Sequence, residues 1–488
     1  MAIAFRRGVR CECMENCCQL KENVSFNKTI GIALSFVGLL VGAGFATGQE
    51  VVQYFTSFGV SGVWGIIVAG LIMALAGTVF LQLGSYFHAS AHSDVFRHVT
   101  HPIISRFLDV CVIFTLFAVG LVMLAGAGSN LSQQFGIDAW IGSAIMVVLV
   151  LVAGMLDVDK VSQVIGALTP LIIIAVLGVG IHALLNMPAD PVESMNIAAQ
   201  TESPINNWLV SALNYCGLAL ILAVSMSLVI GGDNISPREA GWGGLIGGIS
   251  YAILMGIAGF VLLMRPDAAG SDIPMLTLVN EINPTLGLLM AITIYLMIFN
   301  TAIGMFYALG KRLTSTRPHL YRPVFIVGTL VGFAFSFVGF KELMGSVYPV
   351  LGYLGIVMVA VLVAAWLRGL SKIQDESIRR DRIRALLALK LHPDKEYDEK
   401  FDEEIGQHVV DSNMEDEALY EELVTEVTEK LDADEDVDFS LDDFDEDAHD
   451  VTDYTELDGV EEGRSDEEIA EFLEDTVKNI DEEPTASK

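Results

Sequence analysis

The stretch VGAGFATGQE, residues 41–50, interrupts the first long apolar run of the chain. It places three glycines, a threonine, a glutamine and a glutamate inside a segment that is otherwise hydrophobic. In lipid every backbone N–H and C=O group must be satisfied within the protein, so a membrane helix breaks only at a cost. We therefore expect the freed backbone groups to face a cavity and to mark a functional part of the molecule.

Apolar runs of about 20 residues, long enough to cross a bilayer core of roughly 30 Å, continue to residue 367. Runs such as WIGSAIMVVLVLVAGML, residues 140–156, have no polar face to present to water, which argues against a large soluble helical protein. We predict an all-α polytopic membrane protein with ten transmembrane helices. Their expected spans are 30–58, 61–86, 104–131, 139–156, 160–185, 207–231, 240–264, 284–310, 322–340 and 343–367.

Charge divides the chain into two unlike parts. Residues 391–488 hold 40 of the 61 acidic residues and 6 of the 28 basic ones, so the net charge of −33 belongs to this tail. The rest is near neutral. We predict four regions: a cytoplasmic Cys-rich leader (1–27), a ten-helix domain (28–367), a basic amphipathic helix at the inner leaflet (368–392) and an acidic, mostly disordered tail (393–488).

Basic residues predict the orientation in the membrane. With the N-terminus inside, the outward connections carry Arg265 and Lys341, whereas the inward segments carry most of the other basic residues of the body. This is the positive-inside pattern, and it places both termini in the cytoplasm. We expect a multi-pass protein of a bacterial plasma (inner) membrane. In the amphipathic helix, over 373–391, we expect anionic lipid head groups to bind a set of arginines: Arg379, Arg380, Arg382 and Arg384.

The sixth predicted span is the counterpart of the first. It carries Asn214, Tyr215, Cys216 and Gly217 in mid-membrane. Interrupted segments at corresponding positions of two halves are typical of a transporter binding site. The alternative for the glycines of the first span is close helix–helix packing. That alternative leaves the Gln and Glu of residues 49–50 unexplained.

Unwinding over 42–48 would give one half-helix ending near Val41 and another beginning near residues 47–48. The first would expose carbonyl oxygens suited to a small cation, and the second N–H groups suited to an anion. Gln49 and Glu50 would lie in the first turn of the second half-helix. An ionisable residue in a span is functional by default. Three roles for Glu50 stay open: a gate partner, a proton-carrying site or a contact to a substrate amine.

The chain resembles the YkvI-type family of bacterial membrane proteins, within the amino acid–polyamine–organocation superfamily. The resemblance covers roughly residues 28–367. It implies the fold of the leucine transporter, a five-plus-five inverted repeat with broken first and sixth helices. The segments that carry it are GAGFATGQE in the first span, REAGWGGLIGG, IPMLTLVNEINPTLG, FNTAIGMFYAL and SVYPVLGYLG.

The resemblance also implies sites. In sodium-coupled relatives a cation lies between the first and eighth spans, which here places backbone carbonyls of Gly38 and Val41 with side chains of Asn300 and Thr301. For Thr301 the alternative is a hydroxyl bonded to its own helix. Proton-driven relatives carry a lysine in the middle of the fifth span, where this chain has none, which favours sodium over a proton. The substrate would lie against Ala43, Gly44, Phe45, Ala46, Thr47, Tyr215, Cys216 and Gly217, with Gln49 and Glu50 as gate or proton site.

These features predict a secondary active transporter, a sodium-coupled symporter of a small organic solute such as an amino acid. The alternative is a transporter-derived membrane sensor or scaffold that signals through its acidic tail. No enzyme is expected, since there is no His/Cys metal set, nucleophile elbow or phosphate loop. We expect no cofactor, no other metal and no nucleic acid, and we expect the lipid bilayer and a small-molecule substrate as partners. Residues 465–480 of the tail could form a short helix that invites a cytoplasmic protein partner.

Overall fold

The computed structural model describes residues 26–89, 95–96, 102–155, 169–434 and short stretches between 437 and 460. All regular elements of this part are helices. In chain order they are α1 Phe26–Leu40, α2 Ala43–Thr47, α3 Gln49–Tyr54, α4 Val60–Tyr86, α5 Pro102–Phe135, α6 Ala139–Ala153, α7 Thr169–Leu185, α8 Pro191–Ala198, α9 Trp208–Gly232, α10 Pro237–Met264, α11 Pro274–Ile282, α12 Pro284–Leu313, α13 Tyr321–Ser336, α14 Phe340–Leu391, α15 Lys400–Val410, α16 Asp416–Asp432 and α17 Thr452–Thr455.

Seven helices of the described part are long and apolar enough to cross a membrane. Three further apolar helices, α1, α6 and α7, are shorter. The all-helical, multi-span membrane class is therefore confirmed, while the division into two inverted sets of five stays a prediction. Residues 156–168, with the start of the predicted fifth span and Lys160, lie outside the described residues. So do residues 1–25 with the cysteines of the leader.

The first span is interrupted, as the sequence predicts. Helix α1 ends at Leu40, and Gly42 has an extended backbone before the single turn of α2 begins. A second interruption follows at Gly48, whose φ of +79° lies in the left-handed region that favours glycine. The first span is therefore interrupted at two points, with the short helix α2 between them. The sequence suggested a single unwound segment instead.

The predicted break of the sixth span is wrong. Helix α9 continues through residues 215–217 without interruption. Gly217 instead lets two helices approach closely: a Cβ there would lie 2.1 Å from the carbonyl oxygen of Gly352, and a Cβ on Gly355 would lie 1.9 Å from the Gly217 carbonyl oxygen. Small residues that bring helix backbones together are typical of membrane interfaces. The same kind of contact joins α4 to α10, at Gly77 and Gly244.

The prediction of a separate basic helix at the inner leaflet is also wrong. Helix α14 continues as one helix from Phe340 to Leu391. Its arginines bind protein: Arg380 is fully buried, Arg382 pairs with Glu404 at 2.7 Å and Arg384 with Glu426 at 3.0 Å. Carboxylates of the tail therefore bind Arg382 and Arg384, to which we assigned lipid head groups, and Glu376 of the same helix pairs with Arg379 and Arg380.

The tail is folded over residues 400–432, contrary to the expectation of disorder from residue 393. Apolar side chains of α15 and α16, among them Ile405, Val409 and Leu423, form a second core with Ile383 and Leu387 of α14. Ion pairs between α14 and the tail also stabilise this second core. The hydrogen bond from His408 and the guanidinium of Arg382 lower the pKa of Glu404 to about 2. Residues 461–488, including the predicted helix over 465–480, lie outside the described part.

The contact of α9 with α14 can be tested by adding a single methyl group. We expect Gly217→Ala to destabilise the protein by about 1–3 kcal/mol, because the new Cβ overlaps backbone that cannot move aside. Gly256→Ala in α10 is the matched control, since a Cβ there meets nothing within 4 Å. Thermal unfolding in detergent measures both. Equal midpoints for the two variants would contradict the packing role of Gly217.

Candidate functional site

The interruption of the first span is enclosed by other helices. Helix α2 packs against α11 and α12, and α3 packs against α9, α10 and α14. Residues 43–47 are buried throughout. Irregular backbone at membrane depth is tolerated where protein surrounds it or where it lines a cavity. The packing around α2 and α3 meets that condition.

Two carbonyl oxygens at the first break lack backbone partners. The N–H of Gly42 donates to the oxygen of Leu40 at 2.9 Å, so it does not continue the helical pattern to Gly38. The N–H of Phe45 makes no bond to the oxygen of Val41. Within the described residues no backbone N–H reaches the carbonyl oxygens of Gly38 and Val41. These are the two carbonyls that the resemblance assigns to a cation.

The side chains assigned to the same cation lie on α12, which packs against α2. Asn300 and Thr301 are both half-buried. The Thr301 hydroxyl donates to the carbonyl oxygen of Met297 at 3.1 Å, which is the alternative that the sequence left open. The lone pairs of a donating hydroxyl remain able to bind a cation. Convergence of these oxygens on one ion stays a prediction.

Glu50 is the one acidic side chain that α3 contributes, and it is 9% exposed. Its carboxylate lies directly over Gly44: a Cβ on Gly44 would be 1.7 Å from the Glu50 Oε1 atom. No ion pair or hydrogen bond to this carboxylate occurs in the described part of the chain. Tyr54 lies one helical turn further along α3, so its side chain is on the same face of the helix as Glu50.

Aromatic rings from four segments meet beside the break. The hydroxyl groups of Tyr215 and Tyr251 form a short hydrogen bond that joins α9 to α10. The Phe45 ring lies 5.5 Å from the Tyr251 ring, and the rings of Tyr54 and Phe55 lie 5.5 Å and 5.0 Å from that of Tyr215. Offset and edge-on ring pairs at these distances are favourable. The cluster fixes the orientation of α2 and α3 against the intact helices.

Asn214 connects this cluster to α14. Its Oδ1 atom accepts from the Tyr54 hydroxyl at 3.2 Å, and its Nδ2 atom donates to the Pro349 carbonyl oxygen at 2.8 Å. The side chains of Asn214 and Tyr54 are fully buried, so each hydrogen bond offsets the cost of removing these polar groups from water. Tyr54 and Tyr251, which contact Tyr215, were missed by the sequence reasoning. A tyrosine in an apolar span looks like a core aromatic, and the sequence carries no signal that these three meet.

The structure links Phe45 and Tyr215 through Tyr251, and it places Glu50 against Gly44, but two of the predicted substrate residues lie elsewhere. The Cys216 thiol faces the Ala69 carbonyl oxygen of α4 at 3.7 Å, and Gly217 faces α14. Gln49 is fully buried, and neither of its amide atoms has a hydrogen-bond partner among the described residues.

The fold and the site define a polytopic helical membrane protein with an interrupted first span beside a buried carboxylate. The uncharacterized membrane protein YkvI of Bacillus subtilis is 29% identical over 331 residues, which are 68% of this chain and 94% of YkvI. The uncharacterized protein YyaD of the same species is 23% identical over 334 residues, covering 67% and 94%. The resemblance to the YkvI-type family is thereby confirmed. No protein-family model matches the chain.

Two solved structures show partial similarity. The inward-facing conformation of Mhp1 aligns with a TM-score of 0.48 and 13% identity over 69% of this chain and 76% of Mhp1. A mutant of the Eremococcus coleocola manganese transporter aligns with a TM-score of 0.45 and 16% identity over 84% and 88%.

The Tyr215–Tyr251 hydroxyl pair can be tested by a double-mutant cycle. We expect Tyr215→Phe and Tyr251→Phe each to destabilise the protein by about 1–3 kcal/mol, because each leaves one buried hydroxyl unsatisfied. The double variant should cost less than the two singles together, since neither hydroxyl then remains. Thermal unfolding of the four proteins in detergent gives the cycle. Additive losses would show that the two hydroxyl groups are not coupled.

Proposed function

We propose that this protein is a secondary active transporter that moves a small organic solute by alternating access, with sodium as the coupling ion. The interrupted first span is the observation that carries the proposal. Among the described residues, the carbonyl oxygens of Gly38 and Val41 have no backbone partner there, Glu50 is buried in the second half of the span, and five other helices enclose the interruption. A helix with a purely structural role would be more stable with all its backbone groups hydrogen-bonded. The break is therefore best explained by a bound ligand.

Sodium fits the donor set that the first and eighth spans offer. Gly38 and Val41 supply carbonyl oxygens without backbone partners in the described part of the chain. Thr301 and Asn300 add oxygens on α12, which packs against α2. Hard cations prefer oxygen ligands of this kind. A proton carried by Glu50 is the alternative coupling ion.

The solute is proposed to bind beside residues 43–47 and the Tyr215 ring, where buried polar and aromatic groups meet. An amino acid is the solute class that the resemblance suggests. The positive-inside pattern supports a bacterial inner membrane as the location, with both termini in the cytoplasm. The folded tail would then lie on the cytoplasmic face.

A sensor or scaffold that signals through its tail is the second candidate. One observation favours it: the tail contacts the ends of several spans, as described below. Solute uptake by purified protein in vesicles separates the two candidates, since a scaffold would move no solute.

Sodium coupling is tested by uptake of a mixture of radiolabelled amino acids into proteoliposomes, with sodium replaced by potassium in the control. We expect uptake to require sodium. In Thr301→Ala the sodium concentration for half-maximal uptake should rise about tenfold or more, a loss of about 1.4 kcal/mol of binding free energy. Thr301→Ser should retain the wild-type value.

Thr293→Ala is the matched control on the same helix. Its hydroxyl also donates to the carbonyl four residues back, that of Leu289 at 2.9 Å, so the substitution removes an equivalent internal bond two turns away. We expect its sodium dependence to match that of the wild type. Uptake that is indifferent both to sodium and to Thr301→Ala would refute the coupling.

A further inference from the structure

The environment of Glu50 points to the charge of the solute. A carboxylate taken out of water is costly unless a positive partner compensates it. No ion pair joins a Lys, Arg or His side chain to this carboxylate in the described part of the chain, and Tyr54 lies four residues after Glu50, on the same face of α3. Burial of the group is therefore compensated either by a proton on the carboxyl oxygen or by a bound cation, and the measurements below separate the two.

The aromatic cluster at the break suits an organic cation. The Tyr54 ring pairs with that of Tyr215, the Tyr215 hydroxyl is hydrogen-bonded to the Tyr251 hydroxyl, and Phe45 joins the cluster through Tyr251. Aromatic faces attract ammonium groups, and they do so more strongly where water is excluded. A bare alkali cation would instead require a full shell of oxygen ligands. The combination of one carboxylate with several rings is a recognition element for an ammonium group.

We propose that Glu50, which lies over Gly44 and one helical turn before Tyr54 of the aromatic cluster, binds the ammonium group of a cationic organic solute. This inference rests on the proposed transport function and names the class of its substrate. The glycine at position 44 is then required, because any side chain there would occupy the space of the carboxylate. Glu50 thus serves as the substrate contact among the three roles that the sequence left open.

The test compares cations with neutral molecules of the same shape. Purified full-length protein is titrated with choline and with 3,3-dimethyl-1-butanol, and then with n-butylammonium and n-butanol, at constant sodium. We expect the two cations to raise the thermal unfolding midpoint and the two neutral molecules to leave it unchanged. In Glu50→Gln the concentration of cation for a half-maximal rise should increase about tenfold or more.

Glu193→Gln is the matched control, because it removes the same charge from an exposed position on α8. Gly44→Ala provides a second variant that displaces the carboxylate and keeps its charge. It should weaken cation binding as Glu50→Gln does, whereas Gly31→Ala in α1, at an exposed position where a Cβ meets nothing within 4 Å, should not. If Glu50→Gln fails to fold, the comparison of Gly44→Ala with its glycine control decides whether the carboxylate binds the cation.

Equal responses to cations and neutral molecules would overturn the proposal, as would wild-type cation binding in Glu50→Gln and Gly44→Ala. An effect of Glu50→Gln on the pH dependence of uptake alone would make Glu50 a proton site and overturn it too. In these cases solute uptake by the wild type would leave the transport function standing. If the wild type took up no solute but still bound cations, the transport function would be refuted and the proposed cation-binding site would stand.

A second observation concerns the tail and is independent of Glu50. Arg380 is fully buried, although it carries a permanent charge. Its guanidinium donates to the carbonyl oxygens of Ser85 at 3.0 Å and Ile235 at 2.8 Å, which belong to the end of α4 and the α9–α10 loop. It also donates to Asn413 Oδ1 at 2.9 Å and pairs with Glu376. One side chain therefore joins two span ends to the tail.

The tail also holds the first half of the interrupted span. Lys28, near the start of α1, pairs with Glu426 of α16 at 3.2 Å. Burial opposes ionisation of Glu426, but Arg384, Lys430 and Lys28 outweigh it and lower its pKa to about 2. Helix α1 ends at the break, before α3 begins. The tail is thus attached both to the first half of the interrupted span and to the end of α4 and the α9–α10 loop.

We infer that the folded tail, residues 400–432, is a clamp that restrains α1 and slows the transport cycle. This rests on the proposed function. We expect Arg380→Met to raise hydrogen exchange in α15 and α16 about tenfold and to raise the uptake rate about fivefold. Arg379→Met is the matched control, since that side chain is partly exposed and pairs with Glu376 alone among the described residues.

Lys28→Met is a milder variant that breaks the attachment to α1 and leaves Arg380 in place, so it decides the outcome if Arg380→Met does not fold. It should raise uptake without raising exchange in the tail. Uptake at the wild-type rate in a variant with a released tail would show that the tail is no clamp. Loss of all uptake in the wild type would instead refute the transport function.

Discussion

The satisfaction of backbone hydrogen bonds within lipid is the constraint on which this structure depends. It makes every described span helical, and it makes the interruption at Val41 and Gly42 possible only because other helices enclose it. The glycine-containing segments of the first span and of α9 meet this constraint in different ways. In the first span the carbonyl oxygens of Gly38 and Val41 have no backbone partner within the part of the chain that the structure describes. In α9 the backbone bonds are complete, and the polar side chains find partners of their own.

Close helix packing supplies the enclosure. Glycines at the crossings of α4 with α10 and of α9 with α14 bring backbones together, and a methyl group at Gly217 or Gly244 would overlap a neighbouring carbonyl. Apolar side chains gain little by leaving lipid for protein, so packing at contact distance carries more of the stability than in a soluble core. The intact helices thereby form a rigid wall, against which the two short helices of the first span are held by aromatic contacts.

Sequence patterns predicted what depends on local chemistry. The apolar lengths gave the helical membrane class, and the polar residues of 41–50 located the interruption. The reading of Gly217 failed because a glycine that breaks a helix and one that admits a neighbouring helix look alike without the partner, here Gly355. The prediction for the arginines of α14 failed for a related reason. A basic helix can bind anionic lipid or an acidic tail equally well, and only the fold shows that Arg382 pairs with Glu404. The meeting of Tyr54, Tyr215 and Tyr251 depends on three distant segments and left no local signal.

An intact sixth span changes how the site can recognise charge. With two broken helices, opposed peptide dipoles could have bound an anion and a cation without any ionised side chain. With α9 continuous, and with α2 and α3 each a turn or two long, the carbonyl end of α1 is the remaining helix terminus with a substantial dipole at the break. Glu50 is the acidic side chain that the two short helices add there. A buried charge of one sign selects a ligand of the other, so the same feature that corrects the predicted symmetry also favours a cationic solute.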